Sequence, residues 1–170
     1  VRIIGIGGGF EYGTAGLTHH SLEDVGVMRV QPGLTTIAPA DFQQARTAFL
    51  KTWELPGPIY YRLGKDDKAV IPGLDGQFEL DQLQVIREGH NLLFIAMGPV
   101  ASEAVAAADR LAERGIEAAV AVIASINPAP RADLIQMLSR FDLAITVEAH
   151  YLNGGIGSLV AEIVAEKGIG

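Results

Sequence analysis

Cysteine is absent from these 170 residues. That excludes disulfides, thiolate metal sites and a cysteine nucleophile. Cations are also scarce: 13 Lys and Arg against 20 Asp and Glu leave a net charge of −7. A nucleic-acid surface needs clustered Lys and Arg, so no nucleic-acid partner is expected. No run of like charges occurs, no apolar run approaches the ~20 residues of a membrane helix, and no signal peptide is visible. The expectation is a cytoplasmic protein with no membrane partner. No Gly-x-Ser-x-Gly elbow supports a serine triad. Neither Gly-x-Gly-x-x-Gly nor a loop ending in Gly-Lys-Ser/Thr is present, which argues against a dinucleotide or P-loop site.

What is present is apolar and glycine-rich: 49% hydrophobic residues and 20 glycines, ample for a packed core. Val1 to Ile6 reads as a strand. Ser21-x-x-Asp24 resembles a capping box at the start of a helix that Pro32-Gly33 stops. Thr35 to Ala38 is a β-rich run, Asp41 caps a helix over Phe42 to Trp53, and Ile59 to Leu63 is a strand. Residues 64–89 carry glycine, proline and scattered charge, with one short strand near Gln84 to Arg87. Beyond them strands at Leu92–Met97, Ala118–Ala124 and Leu143–Glu148 alternate with helices at Val100–Arg114, Arg131–Phe141 and Gly157–Lys167. Such alternation implies right-handed crossovers and a mainly parallel sheet: an α/β fold of parallel-sheet three-layer units. The chain opens at Val1 inside a strand pattern and stops just after a helix, as expected of a piece of a longer polypeptide.

Chemistry concentrates where the first strand meets Gly7-Gly8-Gly9 and continues to His19-His20. The open end of an α/β sheet is where ligands bind. The glycines serve either an anion cradle or a sharp turn close to a ligand or second subunit. A histidine at a helix start is disfavoured as a cation by the dipole and, when neutral, can donate one hydrogen bond and accept another. Pairing His19 with Glu23, or His20 with Asp24, at i, i+4 lacks a third ligand, so no metal site is expected. Arg62 and Lys65 follow a strand three apart and suit a phosphate or carboxylate. Gly154-Gly155-Ile156-Gly157-Ser158 opens the last helix, either as an anion site or for close packing. His150, next to Glu148, reads as structural.

Gly13-Thr14-Ala15-Gly16-Leu17-Thr18-His19-His20-Ser21-Leu22-Glu23-Asp24, Met28-Arg29 and Ile37-Ala38-Pro39-Ala40-Asp41 together resemble the pyrimidine-binding domain of transketolases. That family reads Gly-Glu-Asp-Gly-Pro-Thr-His-Gln-x-x-Glu, then Leu-Arg-x-x-Pro and Pro-x-Asp. Gly57-Pro58 with Tyr61-Arg62-Leu63-Gly64-Lys65 is similar to its closing strand. Ala96-Met97-Gly98-Pro99-Val100, Ile126-Asn127-Pro128, Val147-Glu148-Ala149-His150 and Gly154 to Ser158 are similar to the transketolase C-terminal domain. The resemblance covers nearly the whole chain in order. It implies residues 1–66 as the C-terminal part of the pyrimidine-binding domain, 67–89 as a linker and 90–170 as the C-terminal domain.

The implied activity is transfer of a two-carbon ketol unit from a ketose to an aldose with thiamine diphosphate and Mg²⁺. By resemblance His19 is the catalytic substrate contact near the reacting carbon, with His20 beside it. Lys65 stands where the family places an arginine for the sugar phosphate, and Arg62 matches a basic position of deoxyxylulose-phosphate synthases. Ala15 replaces the family's Asp and Gly7 its second histidine, which points to a modified, deoxy or nucleotide-linked sugar. The cofactor's catalytic Glu and its Gly-Asp-Gly motif have no counterpart here; Asp75-Gly76 is a plain turn. The expected partner is therefore an N-terminal thiamine diphosphate-binding domain or subunit, within a homo-oligomer, and the chain alone is expected to be inactive. A 1-deoxyxylulose-5-phosphate synthase, a 2-oxoacid dehydrogenase E1 β-like protein and a non-catalytic scaffold are the alternatives.

Overall fold

Short apolar runs punctuated by Gly and Pro set the element order. In the computed structural model, which describes residues 1–169, β1 (Arg2–Ile6) leads through a 3₁₀ turn (Gly13–Ala15) to α1 (Asp24–Arg29), β2 (Thr35–Ile37), α2 (Phe42–Thr52) and β3 (Ile59–Leu63). Then come β4 (Gln84–Arg87), β5 (Leu92–Met97), α3 (Ala101–Ala112), β6 (Ala118–Val122) and β7 (Ser125–Asn127), followed by α4 (Arg131–Leu138), β8 (Ala144–Glu148) and α5 (Ile156–Lys167). Two four-stranded sheets result, ordered β1-β3-β2-β7 and β4-β6-β5-β8. Only β7 and β4 pair antiparallel with their neighbours.

The second sheet is covered on both faces, as its unbroken apolar strands require. Leu92, Phe94 and Ala96 of β5 pack against Ala101, Ala104 and Ala108 of α3. Their alternates Leu93, Ile95 and Met97 meet Leu134, Leu138, Ile156, Leu159 and Ile163 of α4 and α5. Val25 and Ala38 of the first half join that same cluster, so the two sheets share apolar contacts. In the first sheet Ile37, Ile59 and Tyr61 face Ala48, Phe49 and Phe78. β1 is the sheet's edge, and its Ile3, Ile4 and Ile6 are all exposed. Among the described residues no helix is long and apolar enough to cross a membrane.

Two sequence expectations fail here. The run Ala118–Ala124 is not one strand. Ile123 still donates to the Ala96 carbonyl of β5 (2.9 Å), but the Ala124 carbonyl accepts from Ala38 N beyond β2 (2.7 Å). The backbone changes partners between adjacent residues, and β7 crosses to the first sheet. The Ser21 capping box is also absent: the N-cap of α1 is Glu23, without a side-chain cap, and Asp24 points elsewhere. Gly115, by contrast, sits at φ +76 after α3, as a left-handed helix terminator should.

Asp41 does cap α2, through Oδ1 to Gln44 N at 2.8 Å. Its Oδ2 accepts from Ile71 N at 2.9 Å, and with Ile71, Leu74 and Phe78 buried this ties the irregular segment down. Asp41→Ala is expected to cost about 2–4 kcal/mol, the cap plus an orphaned buried N–H. A lowered urea midpoint with unchanged slope would show it.

Candidate functional site

Parallel pairing brings the carboxyl ends of β1 and β3 side by side: Ile6 lies opposite Leu63, and Gly7 N donates to the Leu63 carbonyl at 2.8 Å. The glycine loop therefore abuts the segment carrying Arg62 and Lys65. It is not an open anion cradle. A Cβ on Gly7, whose φ is +79, would lie 2.2 Å from Cε2 of Tyr12. One on Gly8 would lie 2.6 Å from Cζ of Arg62. Neighbouring side chains fill the room an anion would need, so the glycines serve close approach.

Gly9 and Ser21 then exchange backbone hydrogen bonds of 2.7 and 3.1 Å, closing residues 10–20 into a loop. His19 and His20 lie on this loop. His19 precedes α1 by five positions, so the expected helix-start placement and its dipole effect do not apply. The segment 19–23 is not helical either, so His19 with Glu23 and His20 with Asp24 do not share a helix face. His19 is exposed, with Nδ1 2.9 Å from Thr18 Oγ1. Its ring lies 5.7 Å from that of Tyr12. The Lys65 ammonium sits over the same Tyr12 ring, 4.3 Å from its centroid. Lys65 N donates to Glu11 Oε2 at 2.6 Å. His19, Tyr12 and Lys65 thus form one exposed wall.

His20 turns inward. Its Nε2–H donates to the Gly13 carbonyl at 3.0 Å, and its ring meets Phe10 edge-on at 5.2 Å. That bond makes Nδ1 the acceptor, yet Nδ1 is buried and has no partner among the described residues. Beside Lys65 lies an apolar pocket of ≈ 160 Å³ lined by Pro39, Ala40, Leu63, Gly64 and Pro99. At its rim the Lys68 and Ala69 N–H groups donate to Asp66 and hold its carboxyl below the usual range.

Arg62 differs from its sequence reading as an exposed anion grip. It is only 4% exposed, since β3 turns it to the inner face of the sheet. Nε donates to Asp24 Oδ2 at 2.9 Å, and Nη2 to the carbonyls of Ser21 (3.0 Å) and Ala149 (2.9 Å). Tyr60 OH donates to the same Asp24 oxygen at 2.7 Å. Burial first, and this bond to Asp24 second, push the Tyr60 phenol well above its ordinary value, so it stays a donor.

At the last helix the anion site is filled from within. Glu148 accepts from Ile156 N and Gly157 N, both at 2.8 Å. His150 is structural as expected, accepting from Gly26 N at 3.2 Å and donating through Nδ1 to the Tyr151 carbonyl at 2.8 Å.

Residues 1–68 match the transketolase pyrimidine-binding domain and residues 81–170 the transketolase C-terminal domain. The chain belongs to the transketolase family. Transketolases depend on thiamine diphosphate. The chain is 38% identical over 168 residues to a subunit of the apulose-4-phosphate transketolase of Actinobacillus succinogenes, covering 99% of this chain and 54% of that protein. It is 32% identical over 167 residues to the 6-deoxy-6-sulfo-D-fructose transketolase subunit SqwH of a Clostridium species, covering 98% and 52%. The solved structure of a split gene transketolase, in an inactive beta4 tetramer, superposes with a TM-score of 0.87 at 33% identity, over 98% of this chain and 54% of that one. The chain therefore spans about half the length of these relatives.

Among the described residues no three His, Asp or Glu converge to hold a metal ion. Glu148 occupies the N-terminus of α5, and side chains fill the glycine loop. These residues do not by themselves form a diphosphate–metal cradle.

Sequence reasoning missed Tyr12 and Glu11, and read Asp24 as part of a capping box or a partner of His20 where it pairs with Arg62. An aromatic residue between glycines was a visible signal for Tyr12. Nothing local signals the pairing of Asp24 with Arg62, which lies 38 positions away.

Proposed function

We propose that this chain is the C-terminal portion or subunit of a transketolase that moves a two-carbon ketol unit from an anionic, modified ketose to an aldose. The observation that carries the reading is the exposed wall on which Tyr12 touches both His19 and the Lys65 ammonium. His19 supplies the hydrogen bond near the reacting carbon, His20 shapes the wall behind it, and Lys65 meets the substrate's anionic end. Lys65 is a point charge with no fork, so it suits a phosphate or sulfonate without enforcing one approach. The names of the relatives from Actinobacillus succinogenes and Clostridium specify sugars ending in a phosphate and a sulfo group, which supports this class of substrate.

Thiamine diphosphate with Mg²⁺ is held mainly by an N-terminal domain or subunit. The exposed edge of β1, with its isoleucines, supports an added neighbour there. That the beta4 assembly of the split gene relative is inactive supports the same division of labour. Residues 1–66, 67–89 and 90–170 are the proposed domain part, linker and C-terminal domain of a cytoplasmic homo-oligomer.

The test is ketol transfer by the full-length protein, alone and with its N-terminal partner, in the presence of thiamine diphosphate and Mg²⁺. Turnover is expected only with the partner present. Lys65→Met should raise KM for a ketose phosphate about tenfold, the loss of one exposed charge contact of about 1.4 kcal/mol, while sparing kcat. Turnover by the chain alone, or an unchanged KM, would overturn the assignment.

A further inference from the structure

Arg62 is charged and buried, and its Nε and Nη2 are taken up by protein acceptors. Its guanidinium spans three separate segments: Asp24 at the first turn of α1, Ser21 at the base of loop 10–20, and Ala149 after β8. Ser21 is the residue that pairs with Gly9 to close the loop, and the Ala149 side chain abuts Gly9 itself. Two of these three contacts, those to Ser21 and Ala149, therefore bear on where the loop of His19 and His20 begins and ends. The contacts of His19 all lie within its own loop: its N donates to the Gly16 carbonyl at 3.0 Å, its ring meets Thr18 Oγ1 and Tyr12, and so its place depends on how the loop is anchored.

A buried ion pair is a costly way to gain stability, because desolvation offsets most of its attraction, and an apolar pair of similar volume serves as well. What the pair does supply is direction. A guanidinium presents donors in a rigid plane, and here three acceptors on three segments meet that plane. Tyr60, neutral and hydrogen-bonded to the same Asp24 oxygen, keeps the carboxylate aligned with it.

We propose that Arg62, with Asp24, is a positioning pair for the catalytic loop: it sets the base of residues 10–20 against the β8–α5 turn and so holds His19 opposite Lys65. The proposal deepens the transketolase reading and rests on it. It replaces an anion-binding role for Arg62 with an indirect one.

The test uses the full-length protein assembled with its N-terminal partner and thiamine diphosphate. Arg62→Met, Arg62→Lys, Asp24→Asn and the double variant are compared with Lys65→Met. Substrates are a ketose phosphate and the same ketose without its phosphate. Arg62→Met is expected to lower kcat about 10²-fold with both ketoses alike, the effect of a catalytic group displaced by an ångström. Lys65→Met should hurt only the phosphorylated one.

Asp24→Asn preserves shape and should act in the same direction, and the double variant should be little worse than either single. Lysine at 62 should not restore activity, since an ammonium reaches one acceptor and not three. Hydrogen exchange should quicken in amides 10–20 of the Arg62 variants while the strands stay protected. A loss confined to KM for the phosphorylated ketose would mean that Arg62 grips the anion, and unchanged exchange in 10–20 would mean that it positions nothing. Either result overturns the proposal. If the unmodified assembly transfers no ketol unit to any acceptor, the functional reading fails, and the exchange measurement still decides the positioning role.

Discussion

Replacing His19 with alanine in the assembled enzyme is expected to lower kcat/KM by about 10²–10³-fold, the usual loss when a donor aimed at a developing charge is removed. Three features carry this expectation. The ring stands on the exposed wall and is not packed into a core, so its removal costs little stability. Nδ1 is already engaged by Thr18 Oγ1, which fixes the ring and leaves Nε2 for a substrate oxygen. Tyr12 packs on the same ring and carries Lys65, so the histidine is placed relative to the anionic end of the substrate. His19→Asn, which can still donate, should recover part of the loss. The measurements are kcat, KM and thiamine diphosphate affinity, with the affinity expected to stay unchanged. A His19→Ala enzyme within threefold of the parent, on the order of the effect of a remote surface change, would remove His19 from the mechanism.

Gly155→Ala should disrupt the start of α5. A Cβ there would lie 2.0 Å from Oε2 of Glu148 and 2.6 Å from its Cδ. The carboxylate must leave, and two partly buried N–H groups, those of Ile156 and Gly157, lose their acceptor. The helix also loses the negative charge at its N-terminus. Because α5 delivers Ile156, Leu159 and Ile163 to the larger core cluster, a displaced helix start disturbs both sheets. The cost is about 3–5 kcal/mol from two orphaned donors and the lost charge. At this chain length that corresponds to a melting temperature lower by roughly 10 °C or more. Glu148→Gln keeps one acceptor and should cost about half as much. An unchanged melting temperature for Gly155→Ala would show that the carboxylate has somewhere else to go.

Most of the architecture was readable because it depends on local pattern. β5 is unmistakable as six apolar residues before Gly98, since a strand buried on both faces has no polar position to interrupt it. α2 announces itself through Asp41 and stops before Pro56. Where expectation and structure part, a distant partner decides. Ser21 and Asp24 have the spacing of a capping box, but Gly9 claims the backbone of one and Arg62 and Tyr60 the carboxylate of the other. The strand ending at Val122 carries no turn residue; it ends because β2 offers a free edge.

By itself, then, the sequence determined the α/β alternation, the family, and the presence of His19 and Lys65 near the end of a parallel sheet. Periodicity and ordered motifs encode those locally. Only the tertiary structure decided that Tyr12 fills the slot above Gly7, that Glu148 occupies the start of α5, and that Arg62 is buried against Asp24, Ser21 and Ala149. The direction of a side chain on a strand is set by which face of the sheet is covered. Its hydrogen-bond partners, here 38 to 87 residues away, are chosen by packing that no local spacing records.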